Sequence, residues 1–439
     1  MKAFLTPLMC TLLAGPAFAQ EPPKPDQEKR IQDLERKLDI LSKQLEAQST
    51  GTQMEAPDQG RFGLGASASK VYDTKGGLSI GGYGEVLYTN TRSKLLPDGS
   101  TLPSTAQTDA LRAVLYMGYK FNDWIVLNTE LEWEHGGYSD RSTDGEAILE
   151  FAYLDFLVNR AFNVRAGLLL MPMGFVNELH EPPSRLGARR PFLENEGGII
   201  PTTWRENGVG IHGDLGHGLT YRLFAVNGLD GIGRDADHGF NAEGITGAVQ
   251  LGKQAQANKL ALTGRLDWTF TPGALVGGSF YRGNSNQGGN DTIPDTGVPL
   301  DTSIAEVHGE YRARGWQVRA IYAQTSISKA GVEALPAASV LREVGTNQAG
   351  GYLEVGYDLL SSGGTRQSLI PFVRYEQLKL QKQVAAGVVA DPANDRTYLT
   401  FGMDYKPIPQ VVVKADYTKA DNKAKTAQDQ FNLGIGYNF

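Results

Sequence analysis

Apolar and polar residues alternate along most of this chain, in segments separated by turns and polar loops. In the C-terminal segment FNLGIGYNF every second residue is apolar, while Asn and Gly occupy the positions between. A period of two is typical of an extended strand whose two faces meet different environments. The apolar positions of this last segment are Phe431, Leu433, Ile435, Tyr437 and Phe439.

The alternation recurs from residue 76 onward and predicts sixteen strands. A further candidate, residues 243–252, also alternates, but including it would place the short turn at 271–273 on the side of the long loops, so we assign it to an outer loop. An even number of strands leaves both chain ends at one rim of a barrel with a water-filled lumen. The strands are predicted near 77–89, 110–121, 124–135, 146–158, 161–171, 205–215, 218–228, 258–270, 274–283, 302–313, 315–326, 349–360, 367–380, 396–406, 410–419 and 429–439.

Two features favour a transmembrane β-barrel over a soluble β-sandwich, which would also alternate. Very short turns, such as 216–218 and 271–273, alternate along the chain with long loops, as periplasmic and outer connections do in such barrels. Large aromatic residues gather beside the short turns, where amphipathic rings sit at a membrane interface. These residues are Tyr119, Phe121, Trp124, Phe162, Trp268, Phe270, Trp316, Tyr405, Tyr437 and Phe439. The predicted fold is an all-β, 16-stranded antiparallel transmembrane barrel over residues 76–439.

The first residues have the features of an export signal. Lys2, an apolar run and small residues at Ala17 and Ala19 predict a signal peptide over residues 1–19. The single cysteine, Cys10, lies inside it, so the mature chain has no thiol chemistry. Eighteen consecutive apolar residues occur nowhere later, which excludes a helical membrane protein. The net charge of −7, without a basic cluster, argues against nucleic acid as a partner.

Residues 20–48 are predicted to form a periplasmic coiled-coil segment after a proline-rich spacer. Its apolar residues are separated by 3, 4, 3 and 4 positions, the spacing of a coiled-coil seam. The alternative is a lone, solvated amphipathic helix, because so short a seam is marginal unless it is tethered to an oligomer. Residues 49–75, rich in Ser, Thr, Gly, Ala and Gln, are predicted to be a flexible linker. The seam residues are Ile31, Leu34, Leu38, Leu41 and Leu45.

Strand parity places nearly all charged strand residues on the inner face. A basic side chain that faces lipid near the midplane costs roughly 2–4 kcal/mol. Few charged residues occupy the outward-facing strand positions, which supports this assignment of the inner and outer faces. Both signs occur, which predicts a water-filled pore with a transverse field rather than a filter of one sign. In the fourth strand Glu150 and Asp155 have opposite parity, so we expect one of them near a strand end. The inward residues are Glu85, Arg112, Lys120, Glu130, Glu132, Arg165, Asp214, Arg222, Arg265, Asp267, Glu306, Glu310, Arg312, Arg319, Glu354, Arg374, Glu376, Asp404, Lys414 and Asp416.

The insertion at 171–208 is too rich in proline and apolar residues for a solvated surface loop. We expect it to fold into the lumen and narrow it. Arginine forks at such a constriction suit an anionic solute. The alternative is that they form internal salt bridges with the glutamates of the insertion. The predicted constriction residues are Arg185, Arg189, Arg190 and Arg205, and the glutamates are Glu178, Glu181, Glu194 and Glu196.

The motifs GFVNELHEPP and RRPFLENEGGIIPTTWRENGVGIHG, with GGYGEVLY at the first strand and the heptads before it, resemble the phosphate-selective porins O and P. The resemblance implies a trimeric outer-membrane channel with a periplasmic N-terminal segment, an inward third loop, an arginine ladder and a constriction lysine. The last strand resembles the alternating C-terminal strand, ending in Phe, of bacterial outer-membrane barrels in general, which implies that the barrel-assembly machinery reads the strand ending in Phe439. This chain departs from the pattern: Glu130, Glu132 and Glu134 form an acidic row, and no lysine lies between Met171 and Arg205.

The predicted function is therefore passive diffusion of small hydrophilic solutes, with anions such as phosphate favoured, across the outer membrane of a Gram-negative bacterium. A general or organic-acid-selective porin is the alternative. Two other classes stay open: an outer-membrane hydrolase using His308 between Glu306 and Glu310, and an envelope tether whose coil engages the cell wall. No cofactor or metal-binding motif is found, and none is expected.

Overall fold

The computed structural model describes residues 61–136, 145–195, 197–234, 238–290 and 293–439. Within these ranges sixteen antiparallel strands form one closed barrel, which confirms the predicted fold class. The predicted signal peptide and coiled-coil segment lie outside the described residues. The strands are β1 (Gly77–Thr91), β2 (Thr105–Lys120), β3 (Ile125–Glu134), β4 (Glu146–Leu157), β5 (Asn163–Leu170), β6 (Arg205–Gly216), β7 (Leu219–Asn227), β8 (Leu260–Thr271), β9 (Ala274–Asn284), β10 (Asp301–Ala313), β11 (Trp316–Ile327), β12 (Asn347–Tyr357), β13 (Ser368–Gln383), β14 (Asp395–Ile408), β15 (Val411–Asn422) and β16 (Gln430–Asn438).

The barrel closes by pairing its first strand with its last. β1 pairs with β16 from Tyr83 opposite Asn438 to Thr91 opposite Gln430, and with β2 on its other side. Phe439 continues this pairing, because its N–H donates to the Gly82 carbonyl at 2.9 Å. All sixteen strands therefore have two hydrogen-bonded neighbours, so the barrel sheet itself has no free edge.

The connections contain little regular structure. A small hairpin pairs Lys94–Leu95 with Thr101–Leu102, and one short α-helix spans Lys329–Ala334 within the described residues. No described helix is long and apolar enough to cross a membrane. Residues 243–252 lie in a loop, as predicted, with a short 3-10 turn. The 3-10 segments are Arg61–Gly63, Lys70–Asp73, Pro182–Ser184, Phe192–Glu194, Thr246–Ala248, Val340–Glu343 and Pro392–Asn394.

The outer face of the barrel is apolar and exposed, whereas the inner face is charged and buried. The ten aromatic residues named above are all 37–55% exposed. They lie near the rim that carries the short turns, which we call the turn rim, and the opposite rim is the loop rim. One turn-rim connection, 358–367, is longer than predicted. So continuous an exposed apolar surface is unusual for a protein dissolved in water.

A β-bulge explains the parity conflict in β4; Asp155 also lies near the strand end, as expected, two residues before Leu157. The pairing of β3 with β4 shifts register between Glu130 and Leu131, where Glu130 lies opposite Phe151 and Leu131 opposite Leu149. Glu150 is the additional residue of this bulge. Because the bulge resets the alternation, Glu150 and Asp155 both point inward and both are buried.

Residues 61–75 pack against the inner wall near the turn rim, although the sequence predicted a flexible linker from 49 to 75. Val71 and Tyr72 are buried, and the Tyr72 hydroxyl donates to Asp155 at 2.7 Å. The Asn128 amide donates to the Ala68 carbonyl at 2.8 Å. The composition of this segment suggested flexibility, but its few apolar residues pack against the inner face of the barrel wall. Residues 49–60 lie outside the described residues.

Candidate functional site: the inward loop and the lumen wall

The connection between β5 and β6, residues 171–204, folds into the barrel, and we call it the inward loop. Its two ends meet at a neck, where the Met171 N–H donates to the Trp204 carbonyl at 2.9 Å. The buried Asn177 side chain fastens this neck: its Nδ2 donates to the carbonyls of Met171 (2.7 Å) and Trp204 (2.8 Å), and its Oδ1 accepts from the Trp204 N–H at 2.6 Å. The neck therefore holds the loop on the lumen side of the wall.

The inward loop has its own apolar contacts, which explains its unusual composition. Leu193, Ile199 and Trp204 are fully buried within the main hydrophobic cluster. Glu194 lies among them and accepts from the N–H groups of Phe175 (2.6 Å) and Val176 (2.9 Å), while the Tyr352 hydroxyl donates to its other oxygen at 2.8 Å. Burial raises the pKa of Glu194, and these hydrogen bonds oppose the shift only in part.

Charged residues of the wall bond to the backbone of the inward loop. Cationic side chains donate to its carbonyls: Lys414 to Arg185 at 2.6 Å, and Arg319 to Ser184 at 3.0 Å. Wall carboxylates accept from its amides, as Asp416 does from the Ala188 N–H at 2.6 Å. Both signs of charge are needed because a loop without regular structure presents unpaired donors and unpaired acceptors.

The predicted lumen-wall residues lie on the inner face, and their arginines pair with carboxylates. Most of these groups are buried rather than lining open water: Arg319 and Arg374 bond to the inward loop, and Arg165 to Tyr72 in the segment before β1. The pairs within 3.3 Å are Arg112 with Glu85, Glu132 and Glu134; Arg165 with Asp155; Arg222 with Glu178 and Asp267; Arg265 with Asp267; Arg319 with Glu310; and Arg374 with Glu354 and Glu376. Because positive charges are matched in this way, the wall forms a neutralised scaffold rather than an uncompensated arginine ladder.

The four predicted constriction arginines have different surroundings. Both terminal nitrogens of Arg185 already have partners within the protein. Its Nη2 lies 2.6 Å from Glu85 Oε2, and its Nη1 donates to the Gly187 carbonyl at 2.9 Å. Burial lowers the pKa of Arg185, with the neighbouring Arg190 charge adding to this effect and Glu85 opposing it. Arg189 is half-buried, and its carbonyl accepts from Arg374 at 3.5 Å.

Arg190 and Arg205 retain unused hydrogen-bond donors. Arg190 donates from Nη1 to Thr202 at 2.6 Å, while its Nε and Nη2 are buried without a hydrogen-bond partner among the described residues. Arg205 donates to the Thr203 carbonyl at 3.0 Å, lies 3.7 Å from Glu150 Oε1, and leaves Nε without a described partner. Arg190 therefore has the greatest unused capacity for an anion.

The described glutamates of the inward loop form hydrogen bonds and ion pairs with groups other than the arginines of the same loop. Glu178 pairs with Arg222 of β7 at 3.1 Å. Glu181 accepts from the N–H groups of Ser67 (3.0 Å) and Ala68 (3.2 Å). Burial raises the pKa of Glu181, although these bonds favour its ionised form. Glu196 lies outside the described residues.

Two of the cavities among the described residues lie at opposite rims of the barrel. One, of about 530 Å³, lies at the turn rim and is lined by residues including Phe62, His212, Arg222 and Asp267. The other, of about 480 Å³, lies at the loop rim, where its lining includes the exposed residues Arg282, Ser303 and Ser326. Both have charged linings, and the inward loop occupies the level between the rims.

His308, the candidate for a hydrolase, bonds to carboxylates through both ring nitrogens. Its Nδ1 lies 2.9 Å from Glu306 Oε2, and its Nε2 lies 2.9 Å from Asp267 Oδ1. The Ser279 hydroxyl donates to Glu306 rather than to the imidazole, and Glu310 pairs with Arg319. This geometry leaves neither nitrogen to take a proton from a nucleophile.

Sequence reasoning missed several residues that position the loop. Parity had placed Glu85 and Lys414 on the inner face but gave no sign that they hold Arg185 and its carbonyl. Nothing in the sequence predicted a role for Asn177, because its partners, Met171 and Trp204, are far apart in sequence and meet only at the neck. Only the spacing of β4 hinted at Glu150, through its parity conflict.

Comparisons with known proteins agree with the architecture. No protein-family model matches the chain. Among solved structures, OmpF of Salmonella typhi in complex with daunomycin has 17% sequence identity and a TM-score of 0.53, covering 83% of this chain and 98% of that one. An anion-selective porin from Comamonas acidovorans has 12% identity and a TM-score of 0.50, covering 82% and 99%. The outer-membrane channel DcaP of Acinetobacter baumannii has 12% identity and a TM-score of 0.50, covering 82% and 97%.

Identity at this level shows the fold alone, so the resemblance to phosphate-selective porins stays a prediction. A nearer relative is an uncharacterized protein of Aquifex aeolicus (strain VF5), which is 37% identical over 386 residues, 86% of this chain and 83% of that protein. The chain therefore belongs to one family with the Aquifex aeolicus protein, and its fold is that of the outer-membrane porins.

Proposed function

We propose that the protein is a porin of the Gram-negative outer membrane, through which small hydrophilic solutes diffuse passively. One observation carries the proposal: the closed barrel has an exposed apolar exterior and a charged interior crossed by an inward loop. A bilayer would cover the exterior and its aromatic rim, while the interior offers polar contacts to solutes and water. On this proposal the protein has no enzymatic activity.

Anions are the proposed preferred solutes, with Arg190 as their principal contact. Its guanidinium has two buried donors without a described partner, and a carboxylate or phosphate oxygen would satisfy both. Arg205 supplies one more unused donor, and Arg189 is less buried than its neighbours. The wall arginines are paired with carboxylates, which favours a broad preference for small anions, organic acids included, over a dedicated phosphate path.

Reversal potentials under a salt gradient test this preference. We expect anion selectivity in the wild type, together with partial block of chloride current by phosphate or succinate. Arg190→Ala should weaken the block by about tenfold, since a hydrogen bond to a charged group contributes about 1.5–3 kcal/mol. Arg366→Ala, which removes an exposed arginine at the turn rim, is the matched control. Equal block in wild type and Arg190→Ala would refute the assignment of Arg190.

We also propose a homotrimer whose N-terminal segment lies in the periplasm, with the seam at Ile31, Leu34, Leu38, Leu41 and Leu45 assisting association. Deletion of residues 28–48 separates this role from an envelope tether. If the protein is a porin, the deletion variant should keep its conductance, and its trimer should dissociate more easily. If the protein is an envelope tether, the deletion variant should instead lose its attachment to the cell envelope.

A further inference from the structure

One cluster on the inner wall is explained neither by the packing of the inward loop nor by solute passage. Glu130 of β3, Glu150 of β4 and His180 of the inward loop converge, with one candidate ligand atom from each lying within 4.8 Å of the others. The three residues are 0%, 1% and 2% exposed. His180 Nε2 lies 3.1 Å from Glu130 Oε1 and 3.5 Å from Glu150 Oε2.

The other ring nitrogen of His180 restricts what Nε2 can do. Nδ1 lies 3.1 Å from the Asn177 carbonyl oxygen, which can only accept a hydrogen bond, so Nδ1 carries a hydrogen. In a neutral imidazole Nε2 then presents a lone pair toward two carboxylate oxygens. Three acceptors then converge on one point, so either a proton or a metal cation must lie between them.

The carboxylates around this point are short of hydrogen bonds. Oε2 of Glu130, of Glu150 and of the adjacent Glu132 is in each case buried without a hydrogen-bond partner among the described residues. Arg112 lies 3.1 Å from Glu132, and Arg205 approaches the other oxygen of Glu150 at 3.7 Å. The Glu150 oxygen that faces His180 is therefore left uncompensated, which is costly for a buried carboxylate.

The backbone aims Glu150 at this point. Phe151, Tyr153 and Asp155 are buried on the inner face, so strict alternation continued from them would place Glu150 on the outer face; the β-bulge turns it inward instead. Bulges of this kind often redirect a side chain toward a functional site. The fold thus supplies a second carboxylate beside Glu130 that a regular strand would not.

We propose that Glu130, Glu150 and His180 bind a divalent first-row transition-metal ion such as Zn²⁺. Ligand atoms about 2.0–2.2 Å from one ion are roughly 3.0–3.5 Å apart, in agreement with the observed 3.1 and 3.5 Å from Nε2 to the two carboxylate oxygens. Imidazole with carboxylates suits zinc and its neighbours better than calcium or magnesium.

The hydrogen bond from Nδ1 to the Asn177 carbonyl is the outer-shell support usual for a metal-bound histidine. Such an ion would join the inward loop to two wall strands, because its ligands come from β3, β4 and the loop. The site would exist whatever solute the channel prefers. No sequence motif predicts this metal site, because the three ligands lie in three separate segments of the chain.

Zinc binding to the full-length protein in detergent tests the proposal. After chelator treatment and dialysis against Zn²⁺, we expect about one tightly bound zinc per chain by elemental analysis. Glu150→Gln and His180→Asn should each weaken binding by at least about tenfold. His308→Asn is the matched control, because His308 also lies between two carboxylates, Glu306 and Asp267, but bonds to one through each ring nitrogen.

Heat resistance measured with and without zinc gives an independent readout. Zinc should raise the apparent Tm of the wild type and of His308→Asn, but not that of Glu150→Gln. In chelator, wild type and Glu150→Gln should both show the folded barrel by circular dichroism, so that loss of zinc is not loss of fold. A wild type that retains no zinc would overturn the proposal in favour of an imidazolium bonded to Glu130. Zinc binding unchanged in both ligand variants would overturn it too.

Discussion

Glu181 of the inward loop accepts a hydrogen bond from the Asn438 amide of β16 at 2.5 Å. The other oxygen of the same carboxylate accepts from the backbone N–H groups of Ser67 and Ala68. One buried side chain therefore joins the inward loop, the segment before β1 and the strand that closes the barrel. These parts are far apart in sequence, and the Glu181 carboxylate bonds to both of the others.

Removal of that carboxylate should loosen all three parts. Glu181→Ala leaves three donors without their acceptor, at a cost of about 1–3 kcal/mol for each buried group that water cannot reach. We expect a lower apparent Tm in detergent and a smaller loss in Glu181→Gln, which keeps one acceptor oxygen. An apparent Tm for Glu181→Ala equal to that of the wild type would show that the contact does not contribute.

The neck of the inward loop gives a second prediction. Asn177→Ala removes three hydrogen bonds to Met171 and Trp204, so the loop should lose its fixed position in the lumen. We expect larger and noisier single-channel currents than in the wild type. Asn241→Ala, in the loop between β7 and β8, is the control and should leave the current unchanged. A wild-type current from Asn177→Ala would contradict the role of the neck.

The burial of Glu194 predicts a pH dependence of stability. Its pKa is raised in the folded protein, so the folded state holds its proton to higher pH than the unfolded chain, where a glutamate titrates at about 4.3. The associated stability is fully present below the unfolded pKa and is lost as pH rises through the folded pKa. Glu194→Gln cannot titrate and lacks this component.

The apparent Tm of the wild type relative to Glu194→Gln should therefore fall as pH increases from about 4 toward neutrality. Thermal unfolding of both proteins in detergent across that pH range measures the difference. A constant difference would show that the Glu194 carboxyl titrates alike in the folded and unfolded states. A difference that grows in favour of the wild type would show the opposite shift of its pKa.

The packing of residues 61–75 depends on a glycine in β2. A Cβ at Gly118 would lie 2.5 Å from Val71 Cβ, whereas a Cβ at Gly309 meets nothing closer than 3.6 Å. Overpacking of this kind costs about 1–3 kcal/mol, so Gly118→Ala should displace the segment. Tryptic cleavage at Lys70 and Lys75 should accelerate about tenfold in Gly118→Ala and not in the control Gly309→Ala. Equal cleavage rates would contradict the packing.

Much of the fold could be predicted because a barrel wall has strict alternation between two environments. Parity predicted all sixteen strands, and most of the charged residues that it assigned to the inner face are buried. It could not place Glu150 and Asp155 on the same face, since a bulge changes the parity within one strand. It also gave no account of residues 61–75, whose few apolar side chains are ordered by a surface that forms only when the barrel closes.

The site was less predictable than the fold. Proline and apolar content indicated that the inward loop would enter the lumen, but composition does not specify which charges meet there. Arg185 and Arg190 have the same chemistry and nearby positions, yet the first pairs with Glu85 and the second retains two donors. That difference arises from loop packing, which periodicity along a strand does not encode.

Single-channel recording in planar bilayers tests the central claim most directly. The purified full-length protein should add stepwise, long-lived conductance increments in salt solution, because solutes and ions are proposed to pass through the barrel around the inward loop. Asn177→Ala should enlarge each increment. A correctly folded protein that inserts into the bilayer and adds no increments would contradict the account.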